Sequence, residues 1–210
     1  MFARAPEPGA AKTRLIPALG AQGAARLHRQ LTLRAVRTAR EAGLGPVTLW
    51  CAPDSQHRFF RALRQVTRVE CRTQPPGDLG ARMLHAFRRH CGEGPLLLIG
   101  TDCPALAAGD LHAAAQALSE GDDAVFLPAE DGGYVLIGLR RPQPSLFAGI
   151  AWGAESVMDE TRARLRAAGA TWREPRTLWD VDRPADLRRL AALCSDGQRP
   201  LALSTFPGGV

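Results

Sequence analysis

The sequence predicts an α/β fold of three layers, with a mostly parallel sheet between two layers of helices. Three observations carry this. Short apolar runs bounded by turn residues alternate with longer amphipathic stretches along most of the chain. The most apolar run, Leu96-Leu97-Leu98-Ile99-Gly100, shows no polar alternation, as expected of a strand buried on both faces in a parallel sheet. No repeat and no linker-like stretch divides the chain, so residues 1–195 read as one domain. Residues 196–210 carry three Gly, two Pro and little periodicity, and read as a loosely packed tail.

Taken in order, Met1–Ala5 reads as a strand, but as a stub. A central strand is expected to have about 5–6 residues, which suggests a clipped start and is testable on the upstream reading frame. Gln22–Ala42 reads as a helix stopped by Gly43. Val47–Cys51 is a buried strand, and Asp54 or Ser55 is expected to cap a helix running to about Gln65. Val69–Thr73 is a strand, and Asp78–Cys91 a helix with Leu79, Met83, Leu84 and Phe87 on one face. After the Leu96–Gly100 strand come a helix over Asp110–Glu120, strands over Ala124–Pro128 and Tyr134–Leu139, and a helix over Ser156–Ala168. Short strands over Thr171–Glu174 and Leu178–Val181 precede a last helix, Pro184–Cys194.

The 210 residues are 45% hydrophobic, enough for one well-buried core. The net charge of +6 suits acidic small molecules. The arginines are scattered, and aromatic residues are only 6% and unclustered, so nucleic acid is not the expected partner. No apolar run approaches the ~20 residues of a membrane span. The five cysteines, Cys51, Cys71, Cys91, Cys103 and Cys194, lack zinc spacing. Together with the absence of a signal-peptide pattern, they predict a reduced, cytoplasmic protein.

Five segments carry candidate chemistry. The stretch from Phe2 to Leu15 joins a strand to a turn built from Pro6, Pro8 and Gly9, then to Lys12, the only lysine, and Arg14. Such a loop can present backbone N–H groups and cations to phosphates; it also reads as an ordinary surface turn. Thr101-Asp102-Cys103-Pro104 follows the most buried strand directly. An aspartate there can hold Mg²⁺ or Mn²⁺ while substrate phosphates fill the remaining positions, or can cap the next helix. Glu130-Asp131-Gly132-Gly133-Tyr134 follows another strand. Asp131 can orient or deprotonate an acceptor, the two glycines allow close approach of a ligand, and Tyr134 can stack on a ring. The same residues also suit a hairpin turn. Asp180 and Asp182 fall on one side of a strand end, where Asp182 is either a second metal ligand or the cap of the last helix. At Gly77–Met83, Asp78 suits an N-cap and Arg82 can reach a phosphate. No histidine has metal-site spacing, and the glycines of a Walker A loop are missing before Lys12.

Six segments in this order, FARAPEPGAAKTRL, GDLGARM, LLLIGTDCPAL, PAEDGGYVLIGL, IAWGAESV and WDVDRPADL, resemble the radical-SAM/selenodomain-associated transferase family, also termed arsenosugar-biosynthesis-type glycosyltransferases. More distantly the chain is similar to molybdopterin-guanine and phospholactate nucleotidyltransferases. The resemblance implies a Rossmann-like, GT-A-like nucleotide-diphospho-sugar transferase fold. It implies that Arg4, Pro8, Gly9, Lys12 and Arg14 meet nucleotide phosphates, that Asp102 holds a divalent metal joined by Asp182, and that Asp131, Gly132 and Gly133 line the donor-sugar or acceptor site. The sequence lacks the second acid of a glycosyltransferase Asp-x-Asp. The expected activity is glycosyl transfer from a nucleoside-diphosphate sugar to a small acceptor. The alternatives are nucleotidyl transfer from an NTP with release of pyrophosphate, and nucleotide binding without catalysis.

Overall fold

The computed structural model describes residues 1–195; the expected tail at 196–210 lies outside the described residues. The strands are β1 (Phe2–Arg4), β2 (Thr48–Ala52), β3 (Glu70–Thr73), β4 (Leu96–Ile99), β5 (Ala124–Pro128), β6 (Tyr134–Leu139) and β7 (Trp172–Arg173). The helices are α1 (Ile16–Glu41), α2 (Arg58–Thr67), α3 (Leu79–His90), α4 (Ala108–Ser119), α5 (Val157–Ala167) and α6 (Asp186–Ser195).

Two sheets form. One has the order β1-β2-β3 and is wholly parallel. The other has the order β4-β6-β5-β7. In it β6 runs antiparallel to both β4 and β5, while β5 and β7 are parallel. The expected parallel setting of the Leu96–Gly100 strand is thus corrected, because its hydrogen-bonded neighbour is the return arm of the β5–β6 hairpin. An uninterrupted apolar run reports burial on two faces, and burial does not specify strand direction.

The three layers follow from the side-chain period of two. In β4, Leu97 and Ile99 join one hydrophobic cluster and Leu96 and Leu98 the other; in β5, Val125 and Leu127 alternate with Ala124 and Phe126 in the same way. The first cluster includes Val36 of α1, Phe60 of α2 and Leu111 of α4. The second includes Met83 and Phe87 of α3 and Met158 and Leu165 of α5. Phe60, Phe87 and Phe126 are fully buried, and burying each stabilises the fold by about 1.5–3 kcal/mol.

Several boundaries move for local reasons. Helix α1 starts at Ile16, ahead of the expected Gln22, with a non-helical Gly20 (φ 68°) inside it. Helix α2 is capped by neither Asp54 nor Ser55, since His57 Nδ1 accepts from the Phe59 N–H at 3.2 Å. Leu178–Val181 is not a strand: it makes a single bridge, Leu178 to Ala129. Asp78 does cap α3, accepting from the Ala81 N–H at 2.7 Å. Helix α6 starts at Asp186, whose carboxylate accepts from the N–H groups of Asp182 and Arg183.

Candidate nucleotide and metal site

The loop after β1 folds on its own backbone. The Glu7 N–H donates to the Ala5 carbonyl, and the Ala10 and Ala11 N–H groups donate to the Glu7 carbonyl. Gly9 takes φ 84°, and Lys12 takes φ 50° and ψ 47°, in the left-handed region. For a lysine this conformation costs on the order of 1–2 kcal/mol. It aims the side chain inward: the Lys12 side chain is only 5% exposed. Its Nζ donates to the Val181 carbonyl at 2.6 Å and lies 3.0 Å from Asp102 Oδ1.

Asp102 follows β4, where a strand of such a sheet delivers side chains to a ligand. Its side chain is 42% exposed as a whole, yet Oδ1 is buried. Oδ1 faces Lys12 as an ion pair rather than a well-directed hydrogen bond. His28 Nδ1 stands 3.6 Å from the same oxygen, while His28 Nε2 bonds the Arg4 carbonyl at 3.0 Å. Burial alone would raise the Asp102 carboxyl, but His28 and Lys12 outweigh it and hold it at about 2.

Asp180 is the counterpart. Burial, then the charge of Asp102, pushes its carboxyl up to about 7 against the pull of Lys12; Asp131 and Asp182 push in the same direction as Asp102. Asp180 Oδ1 is buried without a hydrogen-bond partner. The backbone holds the two aspartates' segments together, since the Val181 N–H donates to the Asp102 carbonyl at 3.0 Å. Among the described residues no group of three or more His, Cys, Asp or Glu is placed to hold a metal ion. The site offers one carboxylate, Asp102, ion-paired with a buried lysine, and a second, Asp180, whose buried oxygen has no hydrogen-bond partner. That donor set fits Mg²⁺ or Mn²⁺, which take one or two carboxylates and complete their shell from substrate phosphates and water.

The remaining expected residues divide. Arg4 is exposed at the end of β1, and Pro8 and Gly9 are exposed on the loop that follows it. Arg14 pairs with Asp182, so that carboxylate already has a cationic partner. Arg82 is half-buried and donates to Gln74 Oε1 at 3.2 Å; Gln74 in turn bonds the Trp50 and Ala3 carbonyls, tying Arg82 to the ends of β1 and β2. Asp131 is exposed and accepts from the Gly133 N–H at 3.1 Å, which stabilises the hairpin turn. Gly132 is packed on backbone: a Cβ there would lie 2.0 Å from the Glu155 carbonyl oxygen. The Tyr134 ring is packed edge-on against Phe126 and Trp152, and burial pushes its phenol above the usual range. His28 is a site residue that sequence reasoning misses. The available signal is its place among Ala24, Ala25, Leu27 and Leu31 on the buried face of α1, where a polar ring needs partners.

Fold and site together define a protein of the nucleotide-diphospho-sugar transferase fold class. Residues 33–154 match the family described as "Uncharacterized protein conserved in bacteria (DUF2064)", and the chain belongs to that family. It is 28% identical over 196 residues to a phosphoenolpyruvate guanylyltransferase of Chloroflexus aggregans, covering 90% of this chain and 93% of the relative. Among solved structures it is similar to a candidate nucleotide-diphospho-sugar transferase of Desulfovibrio desulfuricans G20, with TM-score 0.84 and 28% identity over 94% of this chain and 87% of that one. A cytidylyltransferase from Leptospira borgpetersenii shares the fold at TM-score 0.59 and 11% identity, over 93% of this chain and 84% of the other. A CMP:2-keto-3-deoxy-manno-octonic acid synthetase complexed with CTP shares it at TM-score 0.57 and 14% identity, over 79% and 88%. Among the described residues no helix is long and apolar enough to cross a membrane.

Proposed function

We propose that the chain is a divalent-metal-assisted nucleotidyltransferase, joining the nucleoside monophosphate part of an NTP to a small anionic acceptor. The observation that carries this is the cluster of Lys12, Asp102 and Asp180, in which a buried lysine is ion-paired with one carboxylate and a second carboxylate, with an unpartnered buried oxygen, feels the charge of both. In this reading an acceptor oxygen attacks the α-phosphorus, the bond from that phosphorus to its bridging oxygen breaks, and pyrophosphate leaves. Asp102 and Asp180 would hold the metal, with Asp182 kept for Arg14. The metal, when bound, neutralises phosphate charge as it shifts to the leaving group. Lys12 turns from Asp102 toward the phosphates, and the exposed Arg4 draws anionic substrates in.

An acceptor that is already an anion needs no strong base. This suits Asp131, whose carboxylate is engaged in its own turn. The named activity of the Chloroflexus relative is of this kind.

Glycosyl transfer from a nucleotide sugar is the second reading, favoured by the Desulfovibrio structure and by the six motif segments of the narrower transferase resemblance. Incubation with each NTP, Mg²⁺ or Mn²⁺ and phosphorylated acceptors, beside a panel of nucleotide sugars, separates the readings. Pyrophosphate release supports nucleotidyl transfer. Free nucleoside diphosphate from a nucleotide sugar overturns it in favour of glycosyl transfer, and nucleotide binding with no product overturns both.

A further inference from the structure

The fold gathers arginines that are scattered in the sequence. Helix α1 joins β1 to β2, α2 joins β2 to β3, and the three strands are parallel. Both helices pack on the same side of that sheet, since Ala35 and Val36 of α1 and Phe60 and Leu63 of α2 belong to one hydrophobic cluster. They run side by side, roughly 10 Å apart, with their outer sides in water. The helical period brings Arg26, Arg37 and Arg40 to the middle of the outer side of α1, and all three are exposed. Arg58, Arg61 and Arg64 are exposed along α2. No acidic residue stands between Arg26 and Arg40 or between Arg58 and Thr67. Among the described residues none of these six arginines has an ion-pair partner, whereas Arg14, Arg72, Arg162, Arg173 and Arg189 on other parts of the surface are all paired. The six carry a charge equal to the chain's whole net charge of +6, so the rest of the molecule is balanced.

Helix stability does not account for this pattern. Arg58 and Arg61 sit in the first turn of α2, where the dipole disfavours cations and no acid offsets them. Arg37 and Arg40 are three residues apart, as are Arg58, Arg61 and Arg64, and like charges at that spacing repel across one turn. An anionic surface laid against the two helices relieves this repulsion. At one end of the face stand two apolar side chains, Leu44 just after α1 and Val66 in the last turn of α2, which are 47% and 59% exposed.

We infer that the outer face of α1 and α2 is a docking surface for an anionic lipid bilayer, which the protein binds peripherally. A bilayer matches both features of the face. It offers a plane of phosphates to the guanidinium groups, and an apolar layer beneath that plane to Leu44 and Val66. A nucleic-acid backbone matches only the first feature. The one aromatic ring of α1, His28, is buried, and Phe59 and Phe60 of α2 pack into the core, so neither helix has a ring free to stack on bases. Each arginine held near such a bilayer is expected to strengthen binding roughly fivefold. Because these helices and strands share one axis, the strand ends near Asp102 then open along the bilayer plane.

The test is co-sedimentation of the full chain with vesicles of phosphatidylcholine, alone or mixed with an equal part of phosphatidylglycerol. At low salt, binding to the mixed vesicles should exceed binding to the neutral ones at least ~10-fold, and it should weaken steeply as salt is added. Arg37→Gln combined with Arg61→Gln should weaken binding to the mixed vesicles at least ~10-fold. Arg88→Gln combined with Arg89→Gln removes the same charge from exposed positions on α3, in the opposite helical layer, and should change binding less than ~3-fold. Val66→Ser should weaken binding without changing its salt dependence. Each variant should keep the parent's melting temperature, since substitutions at exposed positions are close to neutral. Equal binding to both kinds of vesicle, no binding to either, or an equal loss from the α3 pair overturns the inference. So does tighter retention on duplex RNA or DNA than on the mixed vesicles at the same salt, which would assign the face to a nucleic-acid backbone.

Discussion

Lys12 Nζ donates to the Val181 carbonyl at 2.6 Å, tying the first loop of the chain to a segment 169 residues later. The bond explains why a lysine occupies a left-handed backbone position at Gly9–Arg14. Only from there does the ammonium turn inward to meet Val181 and Asp102 together. Strain at a non-glycine position persists where surrounding contacts fix it, and here the contacts fixing it are the candidate site itself.

Lys12→Met should therefore harm both stability and chemistry. It leaves the Asp102 Oδ1 buried with only His28 nearby. Because Asp102 is 42% exposed, the stability loss is expected to be about 1–3 kcal/mol, below the cost for a fully buried pair. Pyrophosphate release should fall at least ~100-fold. Denaturant melts and product assays on one preparation check both; an unchanged melt would show that the ion pair holds nothing together.

Asp180→Asn should split stability from ligand response. Removing a carboxyl whose ionised form is opposed by burial and by Asp102 should raise the metal-free melting temperature at pH 8. The same change should abolish the rise that Mn²⁺ gives the parent protein by binding the native state. Asp182→Asn should keep most of the Mn²⁺ response, because Asp182 is paired with Arg14. A variant series with the opposite order would move the metal to Asp182.

The pH dependence has a defined sign. Asp180 has its carboxyl raised from 3.8 to about 7. Its contribution is full below pH ~4 and is lost as pH rises to about 7, since the folded state there binds the extra proton. Asp102, held at about 2, contributes in the opposite way: its share is present above pH ~4 and lost as pH falls through about 2. Metal-free stability should thus fall between pH ~4 and ~7. The slope expected from one proton held only by the folded chain is on the order of 1.4 kcal/mol for each tenfold drop in proton concentration. Saturating Mg²⁺ or Mn²⁺ should flatten the fall. Chemical denaturation across that range, with and without metal, reads it directly.

The sequence displays the fold better than the site, and the reason is physical. Strands β5 and β6 lie at the expected residues because they are apolar runs closed by a strong turn signal, Asp131-Gly132. Helix α1 begins earlier than expected because Gly20 and Pro17 look like breakers, yet the chain continues through the Gly20 break. Lys12 and Asp102 are legible as a lone lysine in a proline-glycine turn and an acid straight after the most buried strand. Asp180 and Asp182 are not separable from sequence, since residues two apart share a side. What distinguishes them is Arg14, which takes Asp182. His28 stays hidden because helix periodicity shows which face is buried but not which partner waits there.

Gly132→Ala should be among the most disruptive small changes. Gly132 has φ 87°, and an added Cβ would stand 2.0 Å from the Glu155 carbonyl oxygen and 2.6 Å from its carbonyl carbon. Those atoms are backbone, so no rotamer change relieves the clash. The Gly132 carbonyl also accepts from the Met158 N–H at 2.8 Å, so moving the turn away costs that bond and loosens the start of α5. Positive φ and overpacking together should destabilise the protein by about 3 kcal/mol or more, or roughly 6–12 °C in melting temperature for a chain of this size. Gly133→Ala is the control, because its Cβ would meet only the Asp131 side chain at 3.4 Å. Circular dichroism melts should show a large loss for Gly132→Ala and a small one for Gly133→Ala. Equal losses would mean that the turn tolerates neither substitution for reasons of backbone freedom. Equal retention would mean that segment 155–158 is free to move off the hairpin, and that the wall it forms beside Asp131 is not rigid.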